Sequence, residues 1–339
     1  MSTPLAVLGT GLVTAVGMSA PAACAAIRAK VTNPRETRFM IAGDWLIGHQ
    51  VPLQRSWGGA VRLAKMASRA IAESLSGVPE SDWSHIPLLL CVAERQRPGR
   101  TDGLENELYL SLEAELGTRF APQSAIVPRG RSGIVIALEQ ARSLVAGGRV
   151  PAVVIAGVDS LLTWPQLSAL DRGDRLLSGR NSNGFIPGEA AGALVVGPAT
   201  REPRLTCTGI GFGAEAATID SGEPLRADGL VQAMRAALAD AGRELHDVDF
   251  RITDVSGEQY YFKEATLAVA RLLRHNKATF DIWHAAECIG EVGAAAGPVA
   301  LAVADAAFRK GYAPGSTVLL HTSDDSGVRA AAFLSYEAG

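Results

Sequence analysis

The sequence predicts an α/β fold built from two similar halves, and three observations predict it. Short apolar runs alternate with longer amphipathic ones, the pattern of sheets layered with helices. An internal echo comes second: residues 5–17 read LAVLGTGLVTAVG and residues 205–217 read LTCTGIGFGAEAA, each a strand running into a glycine turn. Third, an Ala-rich helix followed by GGRVP and AVVIAGVDS, within 133–160, is matched by an Ala-rich helix followed by KGYAPGS and TVLLHTSDDS, within 297–326. Both echoes keep the same order within their halves. Two such halves, each too open to bury its own sheet faces, would pack into one layered unit.

Taken in chain order, the apolar runs predict strands at 5–8, 87–92, 152–156, 193–196, 205–209, 250–255 and 317–321. The amphipathic and Ala-rich stretches predict helices at 20–29, 59–75, 103–116, 132–147, 229–241, 263–273 and 294–310. Several of these helices stop at glycine, as at Gly147-Gly148 and Gly311. The stretch 170–188, rich in Gly, Arg, Asn and Ser, reads as a long loop. Pro198 to Pro203 is the best internal boundary, giving halves 1–200 and 201–339.

At about 150 residues per domain, a chain of 339 residues is ample for a sizeable core. Hydrophobic residues at 47% and charged ones at 20% exclude a disordered or fibrous protein. A net charge of −3 leaves no basic field to hold nucleic acid or an anionic membrane. Cys24, Cys91, Cys207 and Cys288 show no CxxC spacing, so reduced thiols are expected rather than a zinc site or disulfides. No targeting or spanning segment is read, and a soluble cytoplasmic protein is expected.

Gly9-x-Gly11 after a strand invites a dinucleotide reading, but Thr14 stands where a third glycine belongs, and no acidic residue follows at the required distance. A glycine-rich turn leaving a buried strand is the better reading. No G-x-S-x-G occurs, which excludes an α/β-hydrolase elbow. The histidines show no HExxH or similar spacing. His284 and Cys288, four apart, are better explained by packing than by zinc. No cofactor and no metal is expected.

The informative motifs come in a run: VVIAGVD at 153–159, GFIPGEAAGALVV at 184–196 and IGEVGAAAG at 289–297, after an opening strand that ends VTAVG. In this order they resemble the β-ketoacyl synthase branch of the thiolase superfamily, whose signatures are AGG-x-(D/E), DGFV-x-GEGAGAL, IGH-x-x-GAAG and a VTPLG start. The resemblance covers nearly the whole chain and implies a duplicated, thiolase-like α/β/α/β/α fold of five layers. It further implies that 132–147 and 294–310 are the two central helices, and that the molecule dimerises through an edge strand at 152–156.

The same resemblance empties the site. The family's nucleophilic Cys, in a Cys-x-(S/T)-G context, falls on Gly130 of Gly130-Arg131-Ser132-Gly133. The histidine of its HGT motif falls on Ser256 of Ser256-Gly257-Glu258, and that of IGH on Glu291. Its lysine falls near Ala286, and its glycine-rich mobile loop on Ser323-Asp324-Asp325-Ser326-Gly327. Gly130 offers no nucleophile, and Glu291 would repel an oxyanion. Arg131 is the candidate to neutralise Glu291, with all three positions expected in one cavity. Ser132 and Cys288 are the weak substitutes. The chain is also shorter than full-length relatives, mainly after Gly311 and around 35–60 and 95–125.

A catalytically inactive scaffold that binds protein partners is therefore expected. The opening motif and TRFMIAGDWLIGHQVPL at 37–53 further resemble short ketosynthase-like proteins encoded beside type VI secretion effectors and their adaptor chaperones. That resemblance implies an adaptor or co-chaperone in effector loading. A non-condensing, chain-length-factor-like partner and an acyl sensor stay open, as do homodimer and heterodimer. An acyl carrier protein is a less favoured partner. The alternative is an acyltransferase of fatty-acid or polyketide synthesis with an unconventional nucleophile.

Overall fold

A computed structural model of the protein describes residues 3–337 apart from Ala42, Ser56, Arg149 and Thr200. Chain order begins β1 (Leu5–Val13), α1 (Ala20–Arg28), a hairpin of β2 (Arg35–Ile41) and β3 (Asp44–Gly48), α2 (Gly59–Ser74) and β4 (Leu88–Val92). It continues α3 (Glu107–Leu116), β5 (Ala125–Pro128), α4 (Gly133–Ala146), β6 (Val153–Ser160), α5 (Trp164–Arg172) and β7 (Glu189–Pro198). Then come β8 (Arg204–Ala214), α6 (Asp228–Asp240), β9 (Phe250–Thr253), α7 (Gln259–Leu272), β10 (Ile282–Trp283) and α8 (Ala286–Ile289). The chain closes with α9 (Ala296–Arg309), β11 (Thr317–Ser323) and β12 (Val328–Glu337).

The strands line up as β10-β9-β11-β12-β8-β1-β7-β6-β4-β5. Outward from β1 the pairings are antiparallel to β7, antiparallel to β6, parallel to β4 and parallel to β5. Outward from β8 they are antiparallel to β12, antiparallel to β11, parallel to β9 and parallel to β10. The same sequence of orientations thus occurs twice. The two series touch only where β1 meets β8, at Leu5↔Cys207 and Ala6↔Thr206.

Side-chain alternation along the strands divides the core into layers. Val153 and Ile155 of β6, with Val318 and Leu320 of β11, pack in the central cluster around α4 and α9. Their neighbours Val154 and Ala156 turn outward to α2 and α3, while Leu319 turns to α6. Helices, sheet, central helices, sheet and helices make the five layers of a thiolase-like fold. The central helices approach closely because they are built from small residues: a Cβ on Gly297 of α9 would overlap Ile134 of α4.

Three expectations are corrected. The glycines after the first residues of β1 and β8 are not in turns; both strands continue through them, with a bulge beside Gly9 in β1 and beside Gly209 in β8. A Cβ at Gly9 or Gly11 would overlap the carbonyls of Ser74 or Ala70 in α2, and at Gly209, Gly211 or Gly213 those of Ala237, Ala233 or Gly229 in α6. The echo therefore marks where an outer helix backbone lies directly on a strand. Second, β6 is no edge strand, since it pairs with both β4 and β7. The edges are β5 and β10. Third, the stretch 170–188 begins inside α5, and only its remainder is loop.

Candidate functional site

The parallel strands β4, β6, β9 and β11 deliver charged residues at their carboxyl ends, where open α/β sheets place sites. Glu94 follows β4, Asp159 is the last residue but one of β6, Asp254 follows β9, and Asp324 and Asp325 follow β11. The two central helices start at the same level from one-turn 3-10 segments, Gly130–Ser132 and Gly293–Ala295. Gly130 has φ +50° and Gly293 φ +53°, the left-handed region in which a side chain is strained. Between these ends lies a cavity of about 430 Å³ walled by Glu94, Arg97, Arg131, Arg175, Glu291, Asp324 and Asp325. Leu161, Leu170, Phe185, Pro98 and Pro128 supply apolar wall, and Arg129 and Asp220 also line it.

Three guanidinium groups organise the charge. Arg131 donates from Nη2 to Tyr261 Oη at 2.9 Å and to Asp325, with its guanidinium carbon 4.5 Å over the Tyr261 ring. Its Nε stands 3.8 Å from Asp254 Oδ2 and its Nη1 3.7 Å from Glu291 Oε2. Arg97 donates to Asp159 Oδ2 at 2.6 Å and to both oxygens of Glu94 at 2.9 and 2.7 Å. Arg175 joins Glu258 and Asp325. Carboxylates outnumber guanidinium groups throughout this network.

The titrations follow from that imbalance. Burial pushes Asp254 up to about 6 despite Arg131. Asp324 is raised by burial and by Glu94 beside it. Asp325 is only half-buried; its partial burial raises it, but Arg131 and Arg175 hold it well below the usual carboxylate range. Burial alone would lower Arg131; Tyr261, Asp325, Glu291 and Asp254 together raise it well above its ordinary value.

Of the residues singled out by sequence, Arg131 and Glu291 line this cavity, whereas Gly130 lies behind Glu94 and Asp324, which do. A Cβ on Gly130 would overlap Glu94 Oε2 and lie 2.8 Å from Asp324 Oδ2. Glu291 Oε1 accepts from the Gly293 amide at 2.8 Å, while Oε2 has no donor. Ser256 is not on the cavity wall, and its buried hydroxyl has no partner. Asp254, two residues earlier, is the group that reaches Arg131. Ser132 is fully buried behind the wall and its Oγ accepts from Thr322 Oγ1 at 3.4 Å. Ala286 starts α8, away from the wall. Cys288 lies in α8 against the Ile27 carbonyl at 3.9 Å, and burial pushes its thiol up, away from the nucleophilic thiolate. His284 Nε2 faces Glu287 Oε1 at 3.4 Å, and no metal-binding group of His, Cys, Asp and Glu occurs among the described residues.

Sequence reasoning missed Glu94, Arg97, Asp159, Arg175 and Tyr261. For Asp159 a signal existed, because the echoed segments AVVIAGVDS and TVLLHTSDDS both close on Asp-Ser. For the others, contacts between distant loops decide the role, and no spacing reports those.

No protein-family model matches the chain, and no curated protein matches it. Solved structures do. The ishigamide ketosynthase/chain length factor superposes with a TM-score of 0.80 at 16% identity, covering 99% of this chain and 100% of that one. A β-ketoacyl synthase from Burkholderia phymatum STM815 gives 0.76 at 15% identity, covering 99% and 100%. The ketosynthase in complex with its chain length factor from Xenorhabdus doucetiae gives 0.75 at 13%, covering 99% and 98%. The fold is ketosynthase-like. At these identities the likeness fixes architecture, while chemistry has to be argued from the cavity. No helix among the described residues is long and apolar enough to cross a membrane.

Proposed function

We propose that this chain is a non-condensing ketosynthase-like protein, a cytoplasmic scaffold whose work is binding other proteins. The observation that carries this reading is the closure of carboxylates around Gly130. Condensation needs a nucleophile there and hydrogen-bond donors aimed at the developing oxyanion. Gly130 has no side chain, its Cβ direction is blocked by Glu94 and Asp324, and Glu291 brings a further negative charge. Ser132 lies behind the cavity wall and Cys288 in another part of the fold, so neither replaces the lost group.

The adaptor role in type VI effector loading is the finer reading. It rests on the resemblance of 37–53, and the hairpin that carries that segment supports it. Phe39 and Leu46 face inward to Leu161, Leu167 and Leu176, whereas Met40, Trp45 and Ile47 face outward at 44, 48 and 50% exposure. An outward apolar face of this kind suits a protein partner. A second reading, a chain-length-factor-like subunit paired with an active ketosynthase, is favoured by two neighbours described with a chain length factor.

The test is incubation with acyl and malonyl thioesters, read by intact mass and by product, with an active ketosynthase as positive control. No acyl adduct and no condensation product are expected. Turnover that disappears in Ser132→Ala or Cys288→Ala overturns the scaffold reading in favour of an acyltransferase.

A further inference from the structure

We propose that the carboxylate of Asp325 is the built-in occupant of an anion site, a plug that swings aside for the carboxylate of a ligand entering the cavity. Arg131, Arg175 and Tyr261 are the donors of that site. No step of this proposal uses the absence of condensation, so it stands apart from the scaffold reading.

Three side chains from separate parts of the chain converge on this one carboxylate. Arg131 Nη2, from the 3-10 segment before α4, and Tyr261 Oη, from α7, both donate to Oδ1. Arg175, from the loop after α5, presents Nη1 to Oδ2 at 3.2 Å and Nη2 to Oδ1 at 3.3 Å, the paired prongs of a guanidinium fork. Arg131 and Tyr261 are buried, whereas the Asp325 side chain is 40% exposed. Arg131, Arg175 and Asp325 all line the cavity. The donors are fixed in the wall, and the acceptor is the member that can leave.

The donors do not depend on Asp325 for their places. Arg175 is held by both oxygens of Glu258, through Nη2 at 2.8 Å and through Nε. Arg131 lies over the Tyr261 ring, donates to Tyr261 Oη at 2.9 Å, and has Asp254 and Glu291 at 3.8 and 3.7 Å. Asp325 is the second residue of a tight turn between β11 and β12. The backbone hydrogen bonds of that turn, from the Asp324 amide to the Val328 carbonyl at 2.9 Å and from the Gly327 amide to the Asp324 carbonyl at 3.1 Å, do not involve it. Rotation of its side chain therefore empties the site without unmaking the turn. What remains is a set of donors already positioned for an anion, which lowers the cost of binding one.

The entering group has to carry the charge that leaves. Glu94, Asp220, Glu291 and Asp324 also stand on the wall, so an anion added to the closed site is repelled, whereas an anion exchanged for Asp325 leaves the local charge unchanged. Arg129, exposed on the same wall, adds a positive charge at the entrance. A carboxylate matches the Arg175 fork with both oxygens and takes the Arg131 and Tyr261 donors on one of them; an ammonium has no acceptor to offer, and an alcohol has no charge. Leu161, Leu170 and Phe185 then receive a short apolar chain, and a volume of about 430 Å³ suits a small molecule or one side chain. A free carboxylic acid and a glutamate side chain of a partner protein share this chemistry.

The test compares the unaltered full chain with D325A by titration calorimetry, using hexanoate, n-hexanol and n-hexylammonium, and an acetyl-Gly-Glu-Gly-amide peptide with its glutamine counterpart. Both proteins are expected to bind hexanoate at least about tenfold more tightly than hexanol or hexylammonium. D325A is expected to bind it at least about tenfold more tightly than the unaltered chain, because no tethered competitor has to be displaced. D325A should also melt at a lower temperature, with the loss recovered by acetate and not by acetamide at the same concentration. E115Q, which removes a charge from the exposed pair with Lys65, binds hexanoate as the unaltered chain does. Binding of the glutamate peptide but not the glutamine peptide identifies a protein source; binding of hexanoate alone identifies a small acid. Equal hexanoate affinity in the two proteins, hexanol or hexylammonium matching hexanoate, or recovery by acetamide overturns the proposal. Hexanoate bound by D325A and not by the unaltered chain overturns it too, since Asp325 would then be a fixed part of the wall. Should D325A fail to fold, D325N, a weaker occupant because it is neutral, is read in the same way.

Discussion

Replacing Gly130 by alanine tests whether the site is closed around a missing side chain. Two costs add. At φ +50° the backbone is left-handed, which costs a non-glycine residue about 1 kcal/mol. The new Cβ also falls more than about 1 Å inside ordinary contact with Glu94 Oε2. That carboxylate cannot swing away freely, because Arg97 holds both its oxygens at 2.9 and 2.7 Å. Losing one such charge-assisted bond costs about 2 kcal/mol. The sum is about 3 kcal/mol, or about 4 °C in Tm for a chain of this size. Gly117→Ala is the control, since Gly117 has φ +64° with nothing within 4 Å of its Cβ, and should cost only the backbone term of about 1 kcal/mol. In a Glu94→Ala background the cost of Gly130→Ala should fall towards that value, because the closer overlap is gone and only Asp324 Oδ2 at 2.8 Å remains. Thermal and urea unfolding of the four variants measure this. If Gly130→Ala costs no more than Gly117→Ala, the pocket does not depend on glycine, and a nucleophile at 130 could be accommodated without rebuilding the wall.

Two further outcomes are expected. Asp254 titrates at about 6 when folded against an ordinary value of about 4, so its charge destabilises the fold above pH 6, by at most about 3 kcal/mol, and the relief grows as pH falls towards 4. Asp325, held low by Arg131 and Arg175, contributes fully above about pH 4 and loses that contribution below it. Urea midpoints should hold or rise from pH 8 to 5 and fall below 4, with the rise lost in Asp254→Asn; a steady decline from pH 8 to 5 contradicts the assignment. Burial pushes the thiols of Cys24, Cys91 and Cys207 up to about 12 and also raises Cys288, so none should react with a disulfide reagent at pH 8 until the chain unfolds. Rapid labelling of native Cys288 would reopen its candidacy as a nucleophile.

The parts of this fold that were legible are those dictated by local pattern. Apolar runs located the buried strands β4, β6 and β11, and Ala-rich composition located the central helices α4 and α9. The hairpin β2–β3 escaped notice because one face is polar or exposed and the apolar alternation is broken by Arg38 and Glu36. β12 escaped because its run of alanines reads equally well as helix; only its pairing between β8 and β11 makes it a strand. Strand order was misjudged for the same reason: nothing in the residues 152–156 says that β4 and β7 flank them.

The site shows where sequence reasoning stops. Gly130 and Glu291 could be placed because each lies in a motif of fixed local spacing, and spacing survives loss of chemistry. The group that meets Arg131 could not: β9 ends at Thr253, so the first side chain past the strand is Asp254, whereas the motif pointed to Ser256. The pairing of Asp324 with Gly130, and of Asp159 with Gly293, crosses between the two strand series. Each partner is visible in the repeated segments, but the crossing is a property of how the central helices pack against each other. One half of the repeat uses its aspartate to anchor a helix start through the Ala294 amide and Arg97. The other half leaves an oxygen of the same aspartate facing a cavity. A duplicated sequence predicts equal structures, so function has to be sought where the two copies differ. Here that difference is the hydrogen bonding of Asp324.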